Sequence, residues 1–258
     1  MSKSSFFLTF KDGQMFKQLI DICKDIVQDV NLEITTEGIT MQAMDSSHVS
    51  LIQFFIDKDD FSDYFLQGKE FFCLSLSLKN LNLIMKCFKE TFRLSFSYED
   101  TDKLQINFNE NFDSSNDTDQ QYSWNLNLMN IETEKLQIPE NEEECKIQLN
   151  GGLFHDMIKN ISIVNETLHL NVVGKVVNFE VKGDIGNVNF CKSFTREKMT
   201  SKKNLNLQFS MKYISMFSKA HTFSKNLEIQ LRNEQPMELL YSLDKSWIRF
   251  FLAPKFDD

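Results

Sequence analysis

Asp45, Ser46, Ser47 and His48 place a carboxylate, two hydroxyls and an imidazole side by side. Those are the residue types of a nucleophilic hydrolase, in which a base strips the serine proton and a carboxylate orients the base. The spacing argues against that chemistry, because such triads converge from separate segments of a chain. The run Met44 to Val49 reads instead as a polar turn between two strands, with an apolar residue on either side. Metal chemistry finds no better footing. The four histidines lie far apart with no His-x-x-x-His spacing, and no Cys-x-x-Cys pair joins Cys23, Cys73, Cys87, Cys145 and Cys191. Five scattered cysteines are expected as reduced, mostly buried thiols, and no metal or other cofactor is expected.

A second set of residues offers binding chemistry. Lys17 and Lys24, Lys79 and Lys86, and Lys212 and Lys219 form three pairs, each seven residues apart. Seven residues is nearly two helical turns, so both members of a pair fall on one helix face, about 20° apart. Lysines on a shared face, without side chains shaped to read base edges, make contact with a duplex that is independent of sequence and sensitive to salt. A fourth helix departs from the pattern. It carries His155 and Ser162 at the equivalent places, an acidic Asp156, and Lys159 as its own basic residue.

The elements that must hold these lysines follow from periodicity. Met15, Phe16, Leu19, Ile20, Cys23 and Val27 recur at helical spacing after the Asp12-Gly13 turn, and Leu78–Phe88 does the same. Strands are expected at 6–10, 32–35, 39–43, 49–56, 70–75, 93–98, 103–108 and 122–128, with a polar loop over 109–121. Residues 129–144 are acidic, carry Pro139 and read as a linker. The order then begins again: strand 145–149, a helix through Leu153, Phe154, Met157 and Ile161, strands at 168–173, 176–181, 188–194 and 205–209, a helix over 211–220, and three closing strands. Gly13-Gln14-Met15-Phe16 overlays Gly151-Gly152-Leu153-Phe154, and Lys79 and Lys86 overlay Lys212 and Lys219. This is an internal duplication. It predicts an α+β chain of two similar domains, 1–128 and 145–258, each with helices on one face of antiparallel sheets and joined by the linker 129–144.

Composition bounds the function classes. The chain has 258 residues, 41% hydrophobic and 25% charged, with 25 phenylalanines but only eight glycines and three prolines. That is enough to build a packed core with few breakers. No run approaches the 18 apolar residues of a membrane helix and no signal-peptide pattern opens the chain, so an intracellular protein without a membrane partner is expected. The net charge of −9 disfavours nucleic acid only as a sum. An acidic protein can still present one basic face.

Four motifs carry a resemblance: Met-Asp-Ser-Ser-His-Val-Ser-Leu at 44–51, Leu-Gln-Ile-Pro-Glu at 136–140, Lys-Tyr-Ile-Ser-Met-Phe-Ser-Lys-Ala at 212–220, and Leu-Ala-Pro-Lys at 252–255. In order and spacing the chain resembles the eukaryotic DNA sliding clamps of the proliferating cell nuclear antigen family. The resemblance implies the DNA clamp fold and a ring-forming homotrimer, with the helices lining the inner face around duplex DNA. It implies no catalytic activity and a nuclear location. Partners would be a DNA polymerase delta-like polymerase, a clamp loader, a flap endonuclease, a ligase and other PIP-box proteins. DNA-facing residues would be Lys17, Lys24, Lys79, Lys86, Lys159, Lys212 and Lys219. The partner-peptide pocket would fall on Met44, His48, Val49, Leu136, Ile138, Pro236, Phe251, Leu252, Ala253 and Pro254. The trimer interface would use Tyr122, Trp124, Leu126 and Phe190. Two residues depart from the family pattern: Phe251 and Glu143 stand where tyrosines are usual. The family's modified lysine maps onto Gly174, beside Lys175. Three other readings remain: a subunit of a heterotrimeric checkpoint-type clamp, a monomeric processivity factor, and an enzyme using Asp45 and His48. Replacing His48 with alanine separates the last, since an enzyme would lose turnover and a clamp would lose partner peptides.

Overall fold

The computed structural model describes residues 5–110, 121–131, 136–138 and 142–256. Most of the expected polar loop (111–120) and parts of the linker (132–135 and 139–141) lie outside the described residues. The chain forms two compact units: 1–43 with 53–135, and 44–52 with 136–258.

In the first half, β1 (Ser5–Phe10) leads into α1 (Gly13–Cys23). Five strands follow: β2 (Asp29–Thr35), β3 (Gly38–Met44), β4 (Ser50–Asp57), β5 (Phe61–Gln67) and β6 (Phe71–Ser77). Then come α2 (Leu78–Met85), β7 (Phe92–Tyr98), β8 (Lys103–Glu110) and β9 (Gln121–Asn127). The second half repeats this order. It runs β10 (Cys145–Asn150), α3 (Gly151–Ile161), β11 (Thr167–Val173), β12 (Val176–Gly183), β13 (Gly186–Ser193), β14 (Met199–Ser201) and β15 (Leu205–Ser210). It ends with α4 (Met211–Ser218), β16 (Asn226–Leu231), β17 (Met237–Leu243) and β18 (Ser246–Leu252). The repeat extends to pairing. The first unit has strands in the order β5-β1-β7-β8-β9, the second in the order β14-β10-β16-β17-β18. The smaller run β3-β2-β6 has its counterpart in β12-β11-β15, with β13 outside β12.

Local chemistry accounts for the starts of α1 and α3. The Asp12 carboxylate accepts from the Gln14 N–H at 2.8 Å, and Asn150 Oδ1 accepts from Gly152 and Leu153 at 2.9 and 3.2 Å. Two residue types thus satisfy the same orphan donors at equivalent places. The apolar helix faces then pack inward. Phe10, Phe16 and Phe96 form a triangle with every ring centroid 5.1 Å from the others. In the second unit Phe217 stacks on Phe250 at 4.5 Å. Gly38 ends the turn between β2 and β3 with φ +151°, and a Cβ there would lie 2.0 Å from the Ile56 carbonyl oxygen. Only glycine fits that approach.

Several expectations change. Two strands, β5 and β14, are additional to those expected. Of the cysteines only Cys23 and Cys145 are buried; Cys73, Cys87 and Cys191 are exposed, because Cys73 occupies an outward position of an alternating strand and Cys191 lies on an exposed edge strand. By their contacts, residues 44–52 lie in the second compact unit.

Candidate nucleic-acid interface and peptide pocket

Each unit presents one pair of helices packed on each other, α1 with α2 and α3 with α4. Lys79 and Lys212 are the second residues of α2 and α4, while Lys86 and Lys219 cap the C-termini of the same helices. All four are exposed, as is Lys159 on α3. A cation at a helix C-terminus also meets the negative end of the helix dipole. The α1 lysines are less available. Lys17 is half-buried and its Nζ donates to the Phe88 carbonyl at 2.8 Å. Lys24 is ion-paired with Asp21 one turn back. The seven-residue spacing thus places Lys17 and Lys24 correctly on the helix, but their amines are engaged within the unit. On α3, His155 and Ser162 occupy the places of Lys17 and Lys24.

The loop after Met44 is built around one carboxylate. Asp45 is only 5% exposed. Its Oδ1 accepts from the backbone N–H groups of Val49 (2.9 Å) and Ser50 (2.6 Å). Its Oδ2 accepts from Ser47 N–H (3.0 Å) and from the Tyr213 hydroxyl (2.7 Å) on α4. Burial alone would raise this carboxyl, but the bonds from Tyr213, Ser50, Ser47 and Val49 outweigh it and hold Asp45 below the usual carboxylate range. Burial, then the Asp45 carboxylate, raises the Tyr213 phenol, so the phenol is the donor. The backbone closes the turn through Asp45 N–H to Ser50 O and His48 N–H to Asp45 O, both 3.0 Å. His48 sits at its tip with φ +59°. Asp45 therefore orders the loop and bonds no imidazole. Tyr213 has no local sequence signal that marks it as a partner of Asp45.

All ten expected pocket residues fall in the second unit. The Ala253 N–H donates to the Val49 carbonyl at 3.0 Å, which brings the C-terminal segment beside the loop. Met44, His48, Leu136 and Pro236 are exposed, and Val49, Ile138, Ala253 and Pro254 are half-buried. Phe251 keeps only a sliver of surface, while Leu252 is fully buried and belongs to the core. The end of β18 abandons alternation, with Phe250, Phe251 and Leu252 all buried.

The expected interface residues sit on edge strands. β9 ends the five-strand order of its unit and β13 ends the four-strand order of its own. Tyr122 is 45% exposed and Phe190 40%, with Trp124 intermediate. Leu126 is less accessible than these. It is buried opposite Leu104, although Tyr122 and Trp124 lie on the same face of β9, opposite the buried Phe108 and Ile106. Beside β13 lies a hollow of about 520 Å³ lined by Leu153, Phe154, Met157, Phe190 and Phe194. Leu153, on the first turn of α3, is largely exposed to it. Lys175 turns inward, its Nζ donating to the Met199 carbonyl.

Known proteins share this arrangement. A family model described as proliferating cell nuclear antigen, N-terminal domain, matches residues 6–135, and its C-terminal counterpart matches 137–256. Proliferating cell nuclear antigen from Chaetomium thermophilum is 31% identical, over 96% of this chain and 97% of its own length. The probable DNA polymerase sliding clamp 2 of Paramecium bursaria Chlorella virus 1 is 29% identical, over 95% of this chain and 89% of its own. The crystal structure of proliferating cellular nuclear antigen from Entamoeba histolytica superposes with a TM-score of 0.87 at 25% identity, over 97% of this chain and 99% of that one. The chain has the DNA clamp fold and belongs to the proliferating cell nuclear antigen family of sliding clamps.

Proposed function

We propose that three copies of this chain close into a ring around duplex DNA and tether DNA polymerases and other replication and repair proteins, without catalysis of their own. The observation that carries the reading is the duplicated helix pair. Lys79 and Lys86 recur as Lys212 and Lys219 at the same helical positions, all exposed, on a chain whose net charge is −9. A symmetric ring multiplies such a face threefold. The resulting field holds phosphates without reading bases, which is what sliding requires.

Two further features support assembly. β9 and β13 are edge strands carrying exposed aromatics, and an uncovered edge of that length is an aggregation hazard. Joining β9 of one copy to β13 of the next is a heterologous contact that closes when the rotation permits. The apolar hollow beside β13 would receive the aromatic side chains Tyr122 and Trp124 of the neighbouring copy. The partner pocket would take an aliphatic plug and aromatics from a short helical turn of a PIP-box peptide, with Met44 as an adaptable wall. Such peptides would belong to a delta-like polymerase, a clamp loader, a flap endonuclease or a ligase, and the site of action would be the nucleus.

The test is topological. Loaded onto a nicked circular duplex by a clamp loader, the protein should remain bound through gel filtration and be lost once the circle is linearised. Equal retention on both substrates would refute encirclement.

A further inference from the structure

His155 on α3 and His221, in the turn that follows α4, stack with ring centroids 4.2 Å apart and planes within 21°. In the sequence His155 reads only as a missing lysine. The two rings share one residue. His155 Nδ1 lies 2.9 Å from Ser218 Oγ, and His221 Nδ1 lies 3.0 Å from the Ser218 carbonyl oxygen.

The bonds fix both tautomers. A carbonyl only accepts, so His221 carries its proton on Nδ1. The single Ser218 hydroxyl proton is donated to the Ser215 carbonyl at 2.9 Å. Ser218 Oγ therefore accepts, and His155 also carries its proton on Nδ1. With both Nδ1 atoms committed, each neutral ring holds a lone pair on Nε2, the nitrogen directed away from Ser218. Neither Nε2 meets a partner among the described residues.

We propose that this pair is a proton-gated contact for the phosphates of duplex DNA: neutral, it offers two acceptors that repel a phosphate oxygen; protonated, it offers two charged N–H donors. The proposal rests on the reading that α3 and α4 face the duplex. It assigns α3, whose lysine face is incomplete, a conditional share of the contact.

The surroundings suit a gate. Burial, followed by the neighbouring His221, lowers the His155 pKa; Asp156 opposes this, and Lys159 and Lys219 add to the lowering. The charged groups facing the pair are thus Asp156 and Lys159 from α3, and Lys219 from the segment packed on it. The one charged side chain of β10, which also packs on α3, is Lys146, and it is ion-paired with Glu228. In the free protein near neutral pH, His155 is uncharged. Phosphates brought close would favour the charged form, and by reciprocity protonation would favour phosphates.

The full chain, labelled with ¹³C at histidine Cε1, tests this. Proton titrations are followed without ligand, with a short blunt duplex, and with sodium phosphate at the same phosphate concentration and ionic strength. His155→Gln and His221→Gln assign the signals. With duplex, the His155 and His221 midpoints should rise by about half a unit, which by linkage is about threefold tighter binding per imidazole on acidification. His48 and His169 should not move. The same pair of replacements should abolish the acid enhancement of duplex binding, whereas Lys79→Ala with Lys212→Ala should weaken binding at every pH. Unmoved His155 and His221 midpoints with a duplex that still binds in a Lys79- and Lys212-dependent way would overturn the gate and leave the DNA reading intact. Absence of duplex binding at any pH, together with no retention on the nicked circle, would overturn both. An equal rise with inorganic phosphate would overturn the assignment to DNA. Neutral rings protonated on Nε2, read from ¹⁵N shifts, would remove the premise.

Discussion

Replacing Tyr213 with phenylalanine deletes one oxygen and leaves the ring in place. That oxygen donates at 2.7 Å to Asp45 Oδ2 and joins α4 to the loop that carries Met44, His48 and Val49. A hydrogen bond to a charged group contributes about 1.5–3 kcal/mol. Tyr213 is half-buried, so water replaces part of the loss and about 1–2 kcal/mol remains. Three backbone N–H groups still hold the carboxylate, so the loop should loosen from the helix rather than unfold. In thermal melts the change corresponds to a fall of about 2–8 °C. If the same energy must be recovered when a PIP-box peptide reorders the loop, peptide binding weakens about 5- to 30-fold, measured by calorimetry. Asp45→Ala should be worse alone, since it orphans the Tyr213 hydroxyl and three backbone donors. The double replacement should cost less than the sum, because both remove one shared bond. Unchanged melting and unchanged peptide affinity in the phenylalanine variant would refute the role given to this bond, as would strict additivity in the cycle.

Acid stability should follow Asp45. Its folded pKa is depressed, so its stabilisation is complete above the unfolded carboxylate value of about 3.9 and is lost as pH falls through the folded value; urea melts of Asp45→Asn should show a flatter acid limb than wild type. Gly38→Ala should cost roughly 3 kcal/mol or more in denaturant melts, since its Cβ would sit 2.0 Å from a backbone oxygen. Phe190→Asp should convert the oligomer to a folded monomer by sedimentation, because a carboxylate would be desolvated in an apolar contact. Removing Lys79 and Lys212 should reduce the log–log salt slope of duplex binding by about 0.9 for each phosphate no longer neutralised.

The architecture was legible because the chain says it twice. Apolar periodicity marked all four helices, and the overlaid glycine turns and lysine spacings exposed the duplication. What stayed hidden depends on partners distant in sequence. β5 is interrupted by Ser62 and Asp63 and becomes a strand only by pairing along β1. Lys17 has the spacing of a duplex-facing lysine, yet its amine is bonded to a carbonyl 71 residues away. Tyr213 and Asp45 lie 168 residues apart, so neither predicts the other. Leu252, given to the partner pocket by resemblance, is fully buried, since the alternation that separates inside from outside fails at the end of β18. Asp45 and His48, adjacent in the likeness of a catalytic set, turn out to be a loop anchor and a loop tip. The stacked histidines needed helix packing to bring together positions that sequence treated as unrelated.

A ring that closes on itself fixes the mass of the purified protein in solution. Sedimentation or light scattering across a dilution series should give three times the 30.3 kDa chain mass, persisting as concentration falls. A stable monomer at every concentration would rule out the self-closing ring.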